Sequence, residues 1–574
     1  MSLLTADLLA RDLPDTAAPP APGSLVGDLV VLKFGSSVLA DRSAIPEVVT
    51  EIYRVVRDGF RVLAVVSAFE GVTDRLLGDA REFGCAHDNL HLPRYVALGE
   101  ETSAALLALA CDRSGLSAAS LGVGEFGLTA RGPREDATPV SLNPARLQRA
   151  FEAHEVVVVP GFAALDEAGA VTLLGRGGSD LSAVYLAAEL GGVRLRLVKD
   201  VDGVYDRDPN AEDEALRFGA ATWEQARAVA GKLVQPRALD VAEARGLTVE
   251  VGALGREDAT RVGRTGAPPV RRRRPRPLRV ALAGCGVVGG GVLQRLLRRP
   301  DEFEVVSVLV RDPARERAGA APLTTDPDAF LAAAPDVVVD VLSSAELGAR
   351  LSERALEAGA HVVSANKQAV VLAHDRLLRA AAEGGGDLLY SAAVGGGAPL
   401  VETVRRARAE GDLTALEGVL NGTVNFVLER LFAGETLDAA LTAARAAGLA
   451  EEDPSADLDG HDAAAKLQIL AFEAFGLRLD PAAIARQPLD AQVAARAART
   501  PLKQVARAVL TAGGLSAAVG FEADSAFLDL RCDRNALRLT ARDGRTFSAR
   551  GRGAGRWPTT ESVLADLVDL HARS

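Results

Sequence analysis

The sequence predicts an α/β protein made of two successive units, each a sheet covered by helices. Three observations carry this. Short apolar runs ending at glycine turns alternate with segments of helical spacing from residue 29 to about residue 262. A Pro- and Arg-rich stretch, RTGAPPVRRRRPRP at residues 264–277, then breaks the pattern. Beyond it the alternation restarts with LRVALAGCGVVGGGVLQRLL.

Length and composition bound the function. The 574 residues suffice for two to four domains. A net charge of −12 argues against a nucleic-acid surface as the main business. No apolar run approaches the roughly 20 residues that a membrane helix needs. The start, MSLLTADLLARDLPD, lacks the basic and apolar regions of a signal peptide. The four cysteines show no CxxC spacing and read as free thiols of a reducing cytoplasm. The seven histidines form no metal-ligand pattern.

In chain order, residues 1–28 are rich in Ala, Pro and Asp and read as a disordered leader. LVVLKFG is a buried strand, IPEVVTEIYRVVRDG a helix with a Gly stop, and FRVLAVVSA a second strand. Lys33 closes the first strand, where a lysine beside small residues can reach a phosphate. There is no GxxxxGK[ST], so this is not a P-loop enzyme. GRGGSDLSA at 175–183 allows close backbone approach, offers Arg176 as a carboxylate fork, and opens a helix with Ser179 and Asp180. KDVDGVYDRDP at 199–209 clusters four aspartates around a Gly turn and, taken alone, reads equally well as a polar turn.

Together these blocks resemble aspartokinase, of the amino-acid kinase family, over residues 29–264. KFGSSVLAD is similar to the family's KFGG[ST]S, VSAFEGVTD to its SA-x-x-GVTD, and GKLVQPRA to its GAKVLHPR; GRGGSD and DVDGVY match outright. The resemblance implies a three-layer α/β sandwich that moves the γ-phosphate of Mg-ATP to the β-carboxylate of aspartate. By position, Lys33, Thr73, Glu100, Arg176, Ser179 and Asp180 would serve aspartate and the transferred phosphate, and Asp200, Tyr205 and Lys232 would serve ATP. Ser36, Val38 and Asn210 depart from the pattern. A rival reading therefore makes this half a non-catalytic kinase-fold module for binding or assembly.

In the second half, GCGVVG at 284–289 follows a strand and opens a helix. In that context it reads as a dinucleotide pyrophosphate site of a Rossmann domain, built on Gly284, Gly286, Val287, Val288 and Gly289. The next strand ends at Arg311, where an arginine suits a 2′-phosphate, so NADPH is expected. GLAEEDPSADLDGHDAAAKL at 448–467 reads as an acidic loop up to Gly460 followed by a helix. Asp462 and Lys466 stand four apart on one face of that helix.

This last string resembles the substrate-binding segment of homoserine dehydrogenases, G-x-x-E-x-D-P-x-x-D-[apolar]-x-G-x-D-x-x-x-K, at every fixed position. SANKQAV, YSAAVGGGAP, LNGTVNFVL and the closing GRGAGRWPTTESVLADL are similar to further blocks of that family, so the resemblance covers residues 278–574. It implies that Asn366 and Lys367 lie at the cofactor and that Lys367 and Lys466 are the catalytic lysines. It implies also that Glu451, Asp457 and Asp462 bind the substrate ammonium. Carbonyls of Val394, Gly396 and Ala398 would hold a monovalent cation, but Ser391 stands where the family has glutamate. The expected organisation is leader 1–28, kinase-like domain 29–264, linker 265–277, NADP-binding domain 278–400, and an α+β substrate and dimerisation domain 401–574. The expected protein is a cytoplasmic bifunctional enzyme of the aspartate pathway, acting on small molecules as a homodimer or higher oligomer. No ACT regulatory domain fits between residues 262 and 278, so control by threonine or lysine through such a module is not expected.

Overall fold

The computed structural model describes residues 28–85, 89–191, 193–212, 214–229, 233–271, 275–317, 319, 321–450 and 452–573. The expected leader, but for Asp28, and the expected site residues Lys232 and Glu451 lie outside the described residues.

The apolar runs of the first half become the middle of an eight-stranded sheet. Its order is Ala220–Thr222, Thr260–Gly263, Val249–Ala253, Arg194–Lys199, Leu29–Phe34, Arg61–Val66, Val156–Pro160, Ala118–Ser120. The Val249–Ala253 and Thr260–Gly263 pair is antiparallel and the other pairs are parallel. Continuous apolar runs suit parallel strands covered on both faces. Alternate residues do divide between two cores. Val31, Leu63, Val65, Val157 and Val159 face one, and Val30, Leu32, Val62, Ala64 and Val158 face the other. The result is the expected three-layer sandwich. A four-stranded sheet, Thr138–Leu142, Leu128–Arg131, Ala163–Leu165 and Val171–Leu173, makes up the rest of the strands of this half.

The second half opens with an all-parallel six-stranded sheet. Numbered along the chain, its strands lie in the order 3-2-1-4-5-6, the doubly wound order with its switch point beside Leu278–Ala283. A second six-stranded sheet follows, antiparallel except at one edge pair, with helices Leu400–Glu410 and His461–Phe475 packed against it. The stretch before Gly460 is not all loop, because residues Ser455–Leu458 form one helical turn after Pro454. Pro454 has no N–H to lose, so it can open a turn as readily as it ends one. No helix among the described residues is long and apolar enough to cross a membrane.

The two halves are docked rather than merely tethered. The last helix, Arg556–Arg573, is buried along nearly its whole length. It packs on the Rossmann helix Val287–Leu296 and on Ile45–Arg57 of the kinase-like half, and its Ala565 joins the core of that half. Polar side chains cross this joint. Thr50 donates to Glu561 at 2.7 Å, Arg54 to Asp569 at 2.8 Å, and Arg57 to Asp566 at 2.9 Å and also to Asp569. Arg295 of the Rossmann helix donates to Thr50 at 2.6 Å and to Glu561 at 3.3 Å. Burial pushes the Asp566 carboxyl up to about 7, against the pull of Arg57.

Truncating one partner of a buried pair leaves the other charge without compensation, which costs about 3–5 kcal/mol. Arg57→Ala should therefore lower the urea midpoint of both halves together, followed by fluorescence and by circular dichroism. A midpoint equal to wild type would show that the joint carries no such load.

Candidate functional sites

The first site forms where four adjacent parallel strands end, at Gly35, Ser67, Gly161 and Lys199. Carboxyl ends of parallel strands are where open α/β sheets bind ligands. Lys33 is buried at 4% exposure and its Nζ lies 2.7 Å from Asp180 Oδ1. Lys199, which the sequence reading did not single out, is also buried, and its Nζ donates to both Asp180 oxygens at 2.9 and 3.1 Å. Ser179 and Ser67 share a hydrogen bond at 2.8 Å.

The glycines here are spatial requirements. A Cβ on Gly161 would stand 2.7 Å from Ser179 Cβ, and one on Gly35 would stand 3.0 Å from Lys33 Nζ. Gly177, in the left-handed region at φ 76°, caps the helix Gly178–Leu190 that presents Ser179 and Asp180 in its first turn.

Electrostatics follow from the packing. Burial lowers the Lys33 ammonium to about 8, against the attraction of Asp180. Burial alone would raise Asp180, but Lys33 and Lys199 outweigh it and hold the carboxyl at about 2. Glu100 lies on the neighbouring segment, where its Oε1 accepts from the Ala68 N–H at 3.2 Å and burial raises it to about 7. Thr73 is half-buried in the first turn of helix Val72–Glu82. Arg176 is exposed on the loop before Gly177. In the DVDGVY turn Asp200 is exposed, and Tyr205 donates its hydroxyl proton to Asp202 at 2.5 Å.

The departures from the kinase pattern leave this constellation intact. Val38 is buried in the core on one face of the sheet, while Ser36 and Asn210 are exposed.

The glycine loop of the second half divides its work among three glycines. Gly284 is left-handed at φ 102°, and a Cβ on it would stand 2.9 Å from the Val341 carbonyl. A Cβ on Gly289 would lie 2.2 Å from the Gly284 carbonyl. Gly286 meets nothing within 4 Å, so open space remains there for a pyrophosphate at the N-terminus of Val287–Leu296. Val287 is exposed at 71% beside that space, and Val288 is half-buried. Arg311 is exposed two residues beyond the strand Phe303–Leu309.

The lysines of this half meet on one carboxylate. Asp462, in the first turn of His461–Phe475, accepts from Lys367, and its other oxygen lies 3.1 Å from Lys466 Nζ. Lys466 is buried and donates to the Leu420 carbonyl at 2.7 Å. Burial lowers its ammonium, while Asp462 opposes that shift. For Asp462, burial is overcome by the two lysines, which hold the carboxyl well below its usual range.

Asn421 ties in Asp457. Its Nδ2 donates to Asp457 at 2.7 Å and to Asp462 at 3.0 Å, while its Oδ1 caps the next helix at Val424 N–H. The sequence reading quoted its NGT motif but gave Asn421 no role. Burial raises Asp457 despite that bond.

Asn366 places Lys367. Its Oδ1 accepts from Ala369 N–H, capping the helix Lys367–Gly384, and its Nδ2 donates to the Ser344 carbonyl at 3.0 Å. Val394, Gly396 and Ala398 are buried, and the Ala398 carbonyl accepts from Leu400 N–H at 2.8 Å. With Ser391 in place of a glutamate, these four residues bring no negative charge to a cation.

Comparison with known proteins finds matches in both halves of the chain. Family models match residues 28–252 (amino acid kinase family), 284–391 (homoserine dehydrogenase, NAD binding domain) and 399–568 (homoserine dehydrogenase). The homoserine dehydrogenase of Pseudomonas aeruginosa is 33% identical over 314 residues, which are 51% of this chain and 72% of that protein. The chain belongs to the homoserine dehydrogenase family. The match to the amino acid kinase family lies ahead of the dehydrogenase matches. The homoserine dehydrogenase of Corynebacterium glutamicum is similar at 33% over 315 residues, 50% of this chain and 71% of that protein. The aspartokinase of Helicobacter pylori is 36% identical over 197 residues, 34% of this chain and 49% of that protein. That of Thermus thermophilus is 33% identical over 226 residues, 39% of this chain and 56% of that protein. The chain thus spans about half the length of these aspartokinases.

The glycine geometry of this homoserine dehydrogenase family member makes a differential prediction. Gly286→Ala should keep the wild-type melting temperature but weaken dinucleotide binding, measured by quenching of cofactor fluorescence. Gly289→Ala should lower the melting temperature, because its Cβ meets a backbone carbonyl. Equal effects of both on stability would contradict these assigned roles.

Proposed function

We propose that this chain is a bifunctional enzyme of the aspartate pathway: an ATP-dependent aspartate kinase and a homoserine dehydrogenase acting on aspartate 4-semialdehyde, in the cytoplasm. The observation that carries it is the same at both sites: two lysines converge on one aspartate in the first turn of a helix, Asp180 in the first half and Asp462 in the second. The arrangement favours an active kinase over a merely structural module, because Lys33, Ser179 and Asp180 stand together in a charged cluster that a binding module has no need of.

At the dehydrogenase site, Gly284, Gly286 and Gly289 would hold the pyrophosphate, and Arg311 favours the 2′-phosphate of NADPH. The bound cofactor supplies hydride. Lys367 and Lys466 offer protons for the oxygen of the reduced aldehyde, and burial of Lys466 eases its release of one. Asp457 and Asp462 face an ammonium group, and Asn421 fixes their spacing. At the kinase site the attacking β-carboxylate is already a nucleophile. Lys33 therefore has only to neutralise and orient, and no base is needed. Glu100, with a carboxylate oxygen that has no partner among the described residues, suits the aspartate ammonium.

Full-length protein should form aspartyl hydroxamate with Mg-ATP and hydroxylamine, and homoserine with NADPH. Lys466→Ala should remove homoserine formation while NADPH still binds. Retention of more than about a tenth of kcat/KM, a loss below about 1.4 kcal/mol, would exclude the role given to this lysine.

A further inference from the structure

We propose that Lys199 is a second phosphoryl-facing lysine of the kinase site, acting with Lys33 on the transferring group; this rests on the kinase reading above. Lys199 ends the strand Arg194–Lys199, which pairs in parallel with the strand of Lys33 in the register Lys33↔Leu197 and Phe34↔Val198. Sheet order, not chain order, thus sets the two lysines side by side. Each reaches Asp180 within 3 Å. Two buried ammonium groups against one carboxylate leave one positive charge in excess. Such an excess is costly in a buried site unless an anion completes it. The surrounding residues, Gly35, Ser67, Gly161 and Ser179, are all small and bring no charge of their own.

The chemistry gives the excess charge a use. A β-carboxylate oxygen of aspartate forms the new bond to the γ-phosphorus. The bond from that phosphorus to the bridging oxygen breaks, ADP leaves with the electron pair, and no proton moves. Charge is then spread over the three equatorial oxygens, where two fixed ammonium groups outweigh one. Asp180 aims both lysines, and gives them up in part as the phosphoryl oxygens arrive.

The test uses the full-length chain with Lys199→Met and Lys199→Arg. The readouts are kcat and KM for aspartate in hydroxamate formation, the affinity for the Mg complex of a non-hydrolysable ATP analogue by calorimetry, and the melting temperature. Homoserine formation by the same preparation reports folding. Lys199→Met should lower kcat about 100-fold with little change in KM for aspartate, and Lys199→Arg should recover part of the loss. A wild-type kcat together with a lowered melting temperature would overturn the proposal and leave Lys199 a structural counter-ion. If wild type forms no hydroxamate, the kinase reading itself fails. The nucleotide titration then decides for Lys199, and equal affinity of wild type and Lys199→Met overturns the proposal.

Discussion

Two ammonium groups cannot be packed side by side without an anion between them, and this constraint shapes both halves of the molecule. In the kinase domain Asp180 stands between Lys33 and Lys199; in the dehydrogenase Asp462 stands between Lys367 and Lys466. In each case burial would raise the carboxyl, and the two lysines overcome it. Each site therefore presents two cations fixed on one carboxylate.

The local structure that mounts these aspartates is also shared. Each lies in the first turn of a helix whose cap is a left-handed glycine, Gly177 at φ 76° and Gly460 at φ 74°. A carboxylate in a first turn is favoured by the helix dipole, and the glycine lets the chain enter at an angle a side chain would forbid. The helix of Asp462 is pinned at its far end, where Glu473 accepts from Tyr390 at 2.5 Å and from Arg405 at 2.6 Å. The sites thus rest on rigid elements, while the two domains are fixed to each other by the helix Arg556–Arg573. That helix completes the dehydrogenase sequence pattern yet gives Ala565 to the core of the kinase-like half.

Much of the framework was legible in the sequence, for physical reasons. Parallel strands covered on both faces must be apolar throughout, so LVVLKF and its neighbours announced themselves. The glycine loop was legible because each glycine there answers to backbone geometry, and the acidic segment because its residue types and spacing matched a family pattern. What was not legible depends on contacts distant in sequence. Lys199 meets Asp180 through sheet order, and Arg57 meets Asp566 across 509 residues. Asn421 stood in a quoted motif, but its two carboxylate partners come from a later helix and the turn before it. The Arg-rich stretch read as a linker, and nothing in its composition indicated that the halves on either side would dock.

The most direct test of the shared design is to neutralise each aspartate in the full-length chain and assay both activities. Asp180→Asn should abolish hydroxamate formation and leave homoserine formation near wild type, and Asp462→Asn should do the reverse. Survival of hydroxamate formation in Asp180→Asn, or of homoserine formation in Asp462→Asn, would contradict the claim that an aspartate between two lysines is the working core of each site.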